Sequence, residues 1–394
     1  MKSRVFAGSR IRDLSDSPIV VAGLATVAGL VFVIARLIVA AHGNVSIFIV
    51  AGSDHASAAR LPPGIAVRRG SGYDGQFYYR MALDPANMAR SAFGIRVDTI
   101  SRFERIGYPA IAWLLALGRH SLVPDTLVAT NVLALGVLGY GGGLLARESG
   151  RHAMWGAVFA GFWGYLWSAG RDLTEITAAA FLLLGLYAYR RQRWVPAGVF
   201  LLAASLSKET AAYVVVIIAA TRLWEWVSGR RRQPLAAADV AWAVPILGFI
   251  TWQGVVLAVT GSVPVLSSGN SNLGLPFVGL SHGVHQYLTG LPSRASLIWV
   301  GELVVLVALT VVAGLSIRKS SAPVHERWAW AAVVLLAISA ANGIWVGDVG
   351  FRSLDTVYLF SWLVLLGTPR RLGPLSGLVG VTWVLVAFEL IAAV

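Results

Sequence analysis

The chain has no cysteine, and this absence excludes disulfides, thiolate metal sites and cysteine nucleophiles. Charged residues are scarce as well. They make up 13% of the 394 residues, whereas a soluble domain carries roughly a quarter. A convincing small-residue cleavage site is also missing after the first apolar run, which predicts a retained membrane anchor and not a cleaved signal peptide.

Apolar residues dominate what is present. Hydrophobic types account for 57% of the chain, and the mean hydropathy is +0.70. They fall into repeated runs near the ~20 residues that a helix needs to cross hydrocarbon. The net charge of +13 would suggest a nucleic-acid partner in a soluble protein, but most Lys and Arg stand in short clusters between the apolar runs. The composition therefore predicts an all-α polytopic membrane protein that contacts membrane lipids and no nucleic acid.

About eleven membrane-crossing helices are expected, within a range of ten to thirteen. Their approximate bounds are 18–41, 123–146, 152–169, 172–189, 194–207, 209–227, 239–260, 295–317, 327–346, 352–368 and 373–393. The segment 106–118, IGYPAIAWLLALG, is the difficult case, because about 13 residues are too few for a complete crossing. We expect it to form a re-entrant or interfacial helix.

The distribution of basic residues sets the expected orientation. If 106–118 does not cross, eighteen Lys and Arg residues fall in six cytoplasmic regions, and the short outer connections keep only Arg171, Lys208, Arg294 and Arg352. If it did cross, every later cluster would move outside. The sequence therefore predicts a multi-pass protein of the plasma membrane with a cytoplasmic N-terminus and an outer C-terminus. The remaining ionisable residues collect on the outer, extracytoplasmic face.

Three regions divide the chain. A cytoplasmic segment is expected over residues 1–17, a membrane module over 18–230 and a further transmembrane region over 231–394. Each membrane region contains one long outer loop, over 42–122 and 261–294 respectively. Loops of this length in compact proteins are usually functional or disordered.

The stretch GYDGQFYYRMALDP, residues 72–85, carries the sharpest local pattern. Gly72 and Gly75 allow a tight backbone around Asp74. Aromatic and apolar side chains, Tyr78 among them, then recur at helical spacing, which predicts an amphipathic helix lying in the membrane interface. Asp74 is either the N-cap of this helix or a catalytic carboxylate, and the local sequence favours neither.

Arg102 and Arg105 lie three residues apart, just before an apolar helix. Because arginine binds phosphate oxygens through two parallel hydrogen bonds, the two side chains could form an anion clamp. The alternative is anchoring at lipid headgroups. His282 and His285, in the second outer loop, are also three residues apart, and a lone histidine pair is only a weak metal signal.

Other ionisable residues begin or interrupt apolar helices on the expected outer side. Arg171, Asp172 and Glu175 open one helix, with positions 172 and 175 one turn apart on one face. Lys208 and Glu209 follow a short apolar run, so their turn should lie below the interface, where a charge costs roughly 2.5–3.5 kcal/mol. They either serve a function or neutralise each other or a nearby partner.

A third outer connection is bracketed by acidic and basic residues, Asp348, Arg352 and Asp355. In the non-crossing topology these residues join the same face as Asp74 and Lys208. The convergence of charge from separate parts of the chain on one face indicates an active site there.

Two stretches, YDGQFYYRMALDP and RFERIGYPAIAWLLA, resemble the first outer loop of GT-C membrane glycosyltransferases. Their layout is similar to that of PIG-V-like and PMT-like mannosyltransferases. The positions that carry the resemblance are Tyr73, Asp74, Phe77, Tyr78, Tyr108 and Pro109. Asp172 and Glu175 resemble the second acidic position of that superfamily. The likeness covers mainly residues 18–215, and the chain lacks the acidic pair that many members have at the catalytic aspartate.

The resemblance implies transfer of a sugar from a polyprenyl-phosphate donor to a hydroxyl of a lipid, glycan or protein acceptor. Asp74 would be the general base, and a single attacking carboxylate favours inversion at the anomeric carbon. The groups expected to hold the leaving phosphate are Arg102, Arg105, Lys208 and Arg352. The further substrate-binding candidates are Tyr78, Arg171, Asp172, Glu175, Glu209 and His282. No cofactor is firmly implied, and a divalent cation, Mg²⁺ or Mn²⁺, stays open.

Two other classes remain as alternatives. A secondary transporter or lipid flippase would use Lys208 and Glu209 as an intramembrane coupling pair. Transporters concentrate their sites near the midplane, however, whereas these charges collect at the outer edge. A non-catalytic scaffold would not need the convergence of Asp74, Asp172, Glu175 and Lys208.

Overall fold

The computed structural model describes residues 15–230, 237–267, 272–347 and 349–392. It is mostly helical, with 72% helix and 3% strand, which confirms the all-α class. Several residues singled out from the sequence lie outside the described part of the chain. They are the basic residues before position 13, Arg231, Arg232 and Asp348.

Fifteen α-helices follow one another in the described residues. They are α1 (Pro18–Val39), α2 (Gly75–Leu83), α3 (Gly107–Leu115), α4 (Val123–Glu148), α5 (Ala157–Ala160), α6 (Gly164–Ala169), α7 (Glu175–Arg190), α8 (Trp194–Ser207), α9 (Glu209–Val227), α10 (Val240–Thr260), α11 (Val278–Thr289), α12 (Arg294–Ser316), α13 (Val324–Ile338), α14 (Asp355–Leu366) and α15 (Gly373–Ala392). Four two-residue strands lie in the segment 42–122. They form a parallel pair, β1 (Ala51–Gly52) with β2 (Val67–Arg68), and an antiparallel pair, β3 (Ser91–Ala92) with β4 (Ile95–Arg96).

Six helical segments of the described residues are long and apolar enough to cross a membrane. They are Pro18–Val39, His120–Glu148, Glu209–Val227, Ala237–Thr260, Arg294–Lys319 and Gly373–Ile391. The expected count of eleven is therefore not supported. The other five expected spans fall on α8, on α13, on the broken segment α5–α6, or on α7 and α14, with 16 and 12 residues. At 1.5 Å per residue even 16 residues cover only about 24 Å of the ~30 Å hydrocarbon core.

The first and fourth helices pack closely because small residues face each other between them. A Cβ built on Gly139 of α4 would lie 2.9 Å from the Cβ of Ala25 on α1. A Cβ on Gly29 of α1 would lie 2.6 Å from Leu135 Cδ1. Small residues that let helix backbones approach are typical of helix packing in membranes, where lipid supplies no hydrophobic drive for association.

Polar contacts gather at the two ends of the helices. At one end, hereafter the opposite end, Arg190 forms two hydrogen bonds of 2.6 and 2.5 Å with the buried carboxylate of Glu326. The other end carries residues 42–122 and is hereafter the loop end.

Helix α3 does not cross the bundle. It has nine residues, about 13.5 Å of helix, and both of its flanks lie at the loop end. Before it, the carbonyl of Phe103 accepts a hydrogen bond of 2.8 Å from Trp252 Nε1. Within it, the Tyr108 hydroxyl donates to the carbonyl of Leu127 near the start of α4, at 3.0 Å. These contacts agree with the expected short helix over 106–118.

Helix α2 differs from its sequence-based expectation. Its amphipathic pattern predicted a helix lying in the membrane interface, yet all nine residues of Gly75–Leu83 are buried inside the protein. They belong to a second hydrophobic cluster, which also contains Ile95 and Val97 of the loop and Tyr108 of α3. The interfacial expectation was wrong because the loop folds over the polar side of α2 as well as its apolar side.

Candidate functional site

Asp74 immediately precedes α2 and does not cap it. Its side chain accepts no hydrogen bond from the first turn of the helix. Instead, Oδ2 lies 2.8 Å from Arg102 Nη1 and 3.5 Å from Arg352 Nη2. The N-cap interpretation of Asp74 is therefore wrong, and its carboxylate belongs to an ionic network.

Two glycines hold the backbone on either side of Asp74, as the sequence predicted. Gly72 has a φ of +66°, and a Cβ there would lie 2.5 Å from the backbone nitrogen of Gly52. A Cβ on Gly75 would lie 2.3 Å from the carbonyl oxygen of Arg171. Because a side chain at either position would collide with backbone, the turn presses directly onto the β1 strand and onto the connection between α6 and α7.

Glu175 is the centre of the network. It is the first residue of α7 and its side chain is 1% exposed. Oε1 lies 2.5 Å from Arg352 Nη1 and 3.0 Å from Lys208 Nζ, and Oε2 accepts a hydrogen bond of 3.0 Å from Ser168 Oγ. Two cations and a hydroxyl thus satisfy one buried carboxylate, which is the condition under which a buried charge is tolerated.

Exposure separates two groups within the network. The side chains of Asp74 and Arg102 are each 17% exposed, and that of Arg352 is 11% exposed. Glu175 and Lys208 are 1% and 3% exposed. A ligand can therefore reach Asp74, whereas Glu175 and Lys208, both predicted to bind substrate, are enclosed and can only position the groups above them.

Arg102 and Arg105 have different partners. Arg102 also forms two hydrogen bonds with Asp98, of 3.0 and 2.9 Å, and its guanidinium lies 5.1 Å from the ring centroid of Phe77. Neither arginine projects freely toward lipid headgroups, and the two do not form a joint clamp in this structure.

Arg105 ties the loop to the membrane helices. It forms two hydrogen bonds with Glu209, of 2.8 and 2.6 Å, and donates to the hydroxyl of Tyr78 at 3.0 Å. Lys208 and Glu209, neighbours in sequence, therefore pair with different partners, Glu175 and Arg105. The expectation that a nearby partner neutralises them holds, while mutual neutralisation does not.

Charge shifts the protonation of Asp74. Burial alone would raise the pKa of this carboxyl, but the guanidinium groups of Arg102, Arg352 and Arg105 outweigh it and hold the pKa below its usual value. Asp74 is therefore ionised at neutral pH. An ionised carboxylate that a ligand can reach is able to accept a proton or to bind a cation.

Glu104 shows the opposite behaviour. It is 4% exposed, and burial, followed by the charge of Glu209, raises its pKa to about 7. Arg105 and Arg102 counteract this only in part. Glu104 thus changes its charge near neutral pH.

Arg171 packs between two aromatic rings. Its guanidinium carbon lies 4.2 Å from the ring centroid of Trp167 and 5.3 Å from that of Tyr73. The guanidinium carbon of Arg352 lies 5.2 Å from the centroid of the same tyrosine ring, so Tyr73 connects Arg171 with the network around Asp74. Within the described residues Arg171 forms no ion pair.

Asp172 does not join the network. It is fully buried, and neither of its oxygens has a hydrogen-bond partner in the parts of the chain that the structure describes. Its φ of +51° places it in the left-handed region, before α7 begins. Asp172 and Glu175 therefore do not share a helix face as predicted, because only Glu175 is helical.

The histidines of the second long loop lie elsewhere. His282 and His285 are exposed on α11, whose glycines pack against the segment around Ala340 and Trp345. No group of three or more His, Cys, Asp and Glu side chains suited to a metal ion occurs among the described residues. At Asp74 two guanidinium groups lie beside the carboxylate, and the expected divalent cation, Mg²⁺ or Mn²⁺, stays a prediction.

Several residues at the loop end were not predicted. They are Arg36, Arg68, Asp98, Glu104, Ser168 and Asp355 as a site residue. Arg36 carried a usable signal, because a basic residue at the outer end of an apolar run departs from the positive-inside rule. Glu104 was expected only as one of the ionisable residues of the outer loop, and Ser168 carried no signal, since only the fold brings it to Glu175.

Comparison of the chain with protein-family models, with curated proteins and with solved structures finds no match. The chemistry of the network around Asp74 therefore carries the functional assignment.

Proposed function

We propose that the protein is a membrane glycosyltransferase of the GT-C kind. It transfers a sugar from a polyprenyl-phosphate donor to an acceptor hydroxyl at the extracytoplasmic face of the plasma membrane. The observation that supports this best is the environment of Asp74, an ionised carboxylate that caps no helix, is open to a ligand and lies beside two guanidinium groups.

Asp74 acts as the general base. As the acceptor oxygen bonds to the anomeric carbon, its proton passes to the carboxylate of Asp74, and the bond from the anomeric carbon to the phosphate oxygen breaks. One carboxylate on the attacking side leads to inversion at the anomeric carbon. The leaving phosphate carries the negative charge that develops, so cationic groups around it lower the barrier.

The four cations that the sequence analysis expected to bind the leaving phosphate are paired with carboxylates of the protein itself. Arg102, Arg105, Lys208 and Arg352 each bind a carboxylate of the protein. Lys208 and Arg105 fix Glu175 and the loop, and so position the network. Arg102 and Arg352, which contact Asp74 and are partly exposed, are the two that can also reach a substrate.

The polytopic apolar helices suit a substrate that resides in the bilayer. The donor enters from the lipid phase with its phosphate at the loop end, and membrane lipids surround the six long helices. The acceptor is a lipid, glycan or protein with a free hydroxyl. Nucleic acid has no part in this function.

No observation favours the transporter or flippase. That alternative relied on Lys208 and Glu209 as a coupling pair, and these two residues bind Glu175 and Arg105 at helix ends. The ionic groups of the network lie where helices begin and end, and not along the middle of a helix, where transporters hold their substrates.

Asp74→Asn in the purified full-length protein tests the assignment. With a panel of polyprenyl-phosphate sugars as donors and product mass as the readout, we expect turnover to fall by about 10²–10⁴-fold. Asp54→Asn is the matched control, because Asp54 is exposed on the same loop. Turnover of the Asp74 variant equal to that of the control, or no transfer by the wild-type protein from any donor, would refute the proposal.

A further inference from the structure

Arg171 is a cation that forms no ion pair with any carboxylate of the described residues. Its side chain is held between the rings of Tyr73 and Trp167, and its Nη1 atom is buried with no hydrogen-bond partner among the described residues. Every cation in the network around Asp74 forms an ion pair with a carboxylate, whereas Arg171 forms none in the described parts of the chain. Burying part of an unpaired charge is costly, so such an arrangement requires a reason.

Arg68 lies in the same region and likewise forms no ion pair within the described residues. It ends strand β2, next to the turn that leads to Tyr73, and its Nη2 atom is buried without a hydrogen-bond partner. No carboxylate in the described residues forms an ion pair with it. The backbone of β2 is fixed by pairing with β1, so Arg68 is placed by the fold and is not a freely solvated loop residue.

Arg36 brings a third guanidinium close to Arg171. It is 2% exposed in the last turn of α1, and its Nη1 donates a hydrogen bond to the carbonyl of Leu390 on α15. Its Nε lies 3.4 Å from the point where a Cβ on Gly170 would stand, one residue before Arg171. Both α1 and α15 are among the six long apolar helices, so the group sits where two such helices end, at the level of lipid headgroups.

The like charges act on one another. Burial first, and then the charges of Arg36, Arg352 and Arg68, lower the pKa of Arg171 to about 10, although Tyr73 opposes this. The three arginines, placed by α1, β2 and the α6–α7 connection, repel one another. An anion bound among them would remove that repulsion and accept hydrogen bonds from Arg171 Nη1 and Arg68 Nη2 at the same time.

We propose that Arg171, together with Arg68 and Arg36, binds a phosphate group. The depth of the cluster favours a phosphate carried by a lipid, and its identification as the phosphate of a polyprenyl donor rests on the function proposed above. Tyr73 then separates two parts of one site, since Arg171 lies against the ring and Asp74 follows it in the chain. The phosphate is held on the Arg171 side and the acceptor hydroxyl is deprotonated on the Asp74 side.

Arg171→Gln and Arg68→Gln remove one charge each with little change of size. Arg96→Gln is the matched control, because Arg96 is an exposed arginine of the same loop, on strand β4. Two probes are titrated into the purified full-length protein in zwitterionic nanodiscs: a polyprenyl monophosphate without a sugar, and inorganic phosphate. Binding is followed by the increase of the Tm, and tryptophan fluorescence before titration confirms that each variant is folded.

We expect the polyprenyl monophosphate to bind the wild type and the Arg96 variant equally. The Arg171 and Arg68 variants should bind it at least about tenfold more weakly, because each loses a charge-assisted hydrogen bond to the phosphate. The same pattern with inorganic phosphate would also support the phosphate subsite and would identify free phosphate as a ligand. If Arg171→Gln fails to fold, Arg68→Gln decides. Wild-type affinity in the folded Arg171 and Arg68 variants, an equal loss in the Arg96 variant, or no binding of either probe would overturn the proposal.

The outcome is separable from that of the proposed function. Phosphate binding that depends on Arg171, without sugar transfer from any donor, would refute the glycosyltransferase and leave the subsite in place. Sugar transfer that depends on Asp74, with a donor KM unchanged by Arg171→Gln, would support the glycosyltransferase and refute the phosphate subsite.

Discussion

Arg352 follows Asp74 by 278 positions in the sequence, and its Nη2 atom lies 3.5 Å from Asp74 Oδ2. The other terminal nitrogen of the same guanidinium lies 2.5 Å from Glu175 Oε1. Arg352 therefore links the carboxylate of Asp74, which a ligand can reach, to that of Glu175, which is enclosed. Lys208 in turn forms an ion pair with Glu175. The orientation of the Asp74 side chain therefore depends on three distant segments of the chain, those that carry Arg352, Glu175 and Lys208.

The ion pair of Arg105 with Glu209 should be strongly coupled. Both hydrogen bonds are short, and the two side chains are 15% and 18% exposed. We expect Arg105→Gln and Glu209→Gln each to lower the free energy of unfolding by about 3 kcal/mol, because each leaves a largely buried charge unpaired. In the double variant the loss should be smaller than the sum, with a coupling of about 1–3 kcal/mol.

Unfolding in mixed detergent micelles, followed by tryptophan fluorescence, measures this cycle. The control cycle uses Arg222 and Glu225, three residues apart on α9, whose side chains are 21% and 40% exposed and whose coupling should stay below about 1 kcal/mol. A coupling for Arg105 and Glu209 as small as that of the control would contradict the buried bidentate pair.

Glu104 predicts a loss of stability between acidic and neutral pH. Burial raises its pKa from 4.5 to about 7 in the folded protein. As the pH rises from about 4.5, the carboxyl of Glu104 loses its proton in the unfolded chain but keeps it in the folded chain. The unfolded state is therefore stabilised relative to the folded state. At pH 7 and above, the free energy of unfolding is lower by about 3 kcal/mol for this reason.

Glu104→Gln should remove this dependence and make the protein more stable than the wild type above pH 7, with little difference below pH 4.5. Tm values measured between pH 4.5 and 8 provide the test. Glu225→Gln serves as the control, because it removes an exposed carboxylate and should follow the wild-type profile. If the curves of Glu104→Gln and the wild type run in parallel, Glu104 does not titrate in this range.

The sequence alone is sufficient for the all-α membrane class and for bringing the residues of the candidate site to one end of the helices. Long apolar runs identify helices such as α1 and α12 directly, and the topology places Asp74, Arg102, Glu175 and Lys208 at one end. The runs cannot separate a crossing helix from a short buried one, however. α14 is apolar on every side because other helices surround it, and all of its residues are buried.

Partner choice within the site could not be predicted. Lys208 is adjacent to Glu209 in sequence but pairs with Glu175, because α8 ends and α9 begins at this point and the two side chains leave the turn in different directions. Likewise, the pattern of α2 reveals its apolar face and not the loop that covers it. Long-range contacts determine both the pairing of Lys208 and the burial of α2, and such contacts cannot be predicted from local residue spacing.

Asp172 and Glu175 form a matched pair for the last prediction. Both are acidic and buried, and they are three positions apart, but Glu175 faces Lys208 and Arg352 whereas Asp172 accepts no hydrogen bond within the described residues. An ionised carboxylate without donors would be very costly to bury, so we expect Asp172 to carry a proton. Asn reproduces its shape and tolerates its φ of +51°.

Asp172→Asn should therefore change the free energy of unfolding by less than about 1 kcal/mol. Glu175→Gln should lower it by about 3–5 kcal/mol, since it leaves two buried cations without their carboxylate. Thermal unfolding of the two purified variants, followed by tryptophan fluorescence, compares them side by side. A Tm for Asp172→Asn as low as that of Glu175→Gln would mean that Asp172 is ionised and paired, and that a cation or a donor binds it in the folded protein.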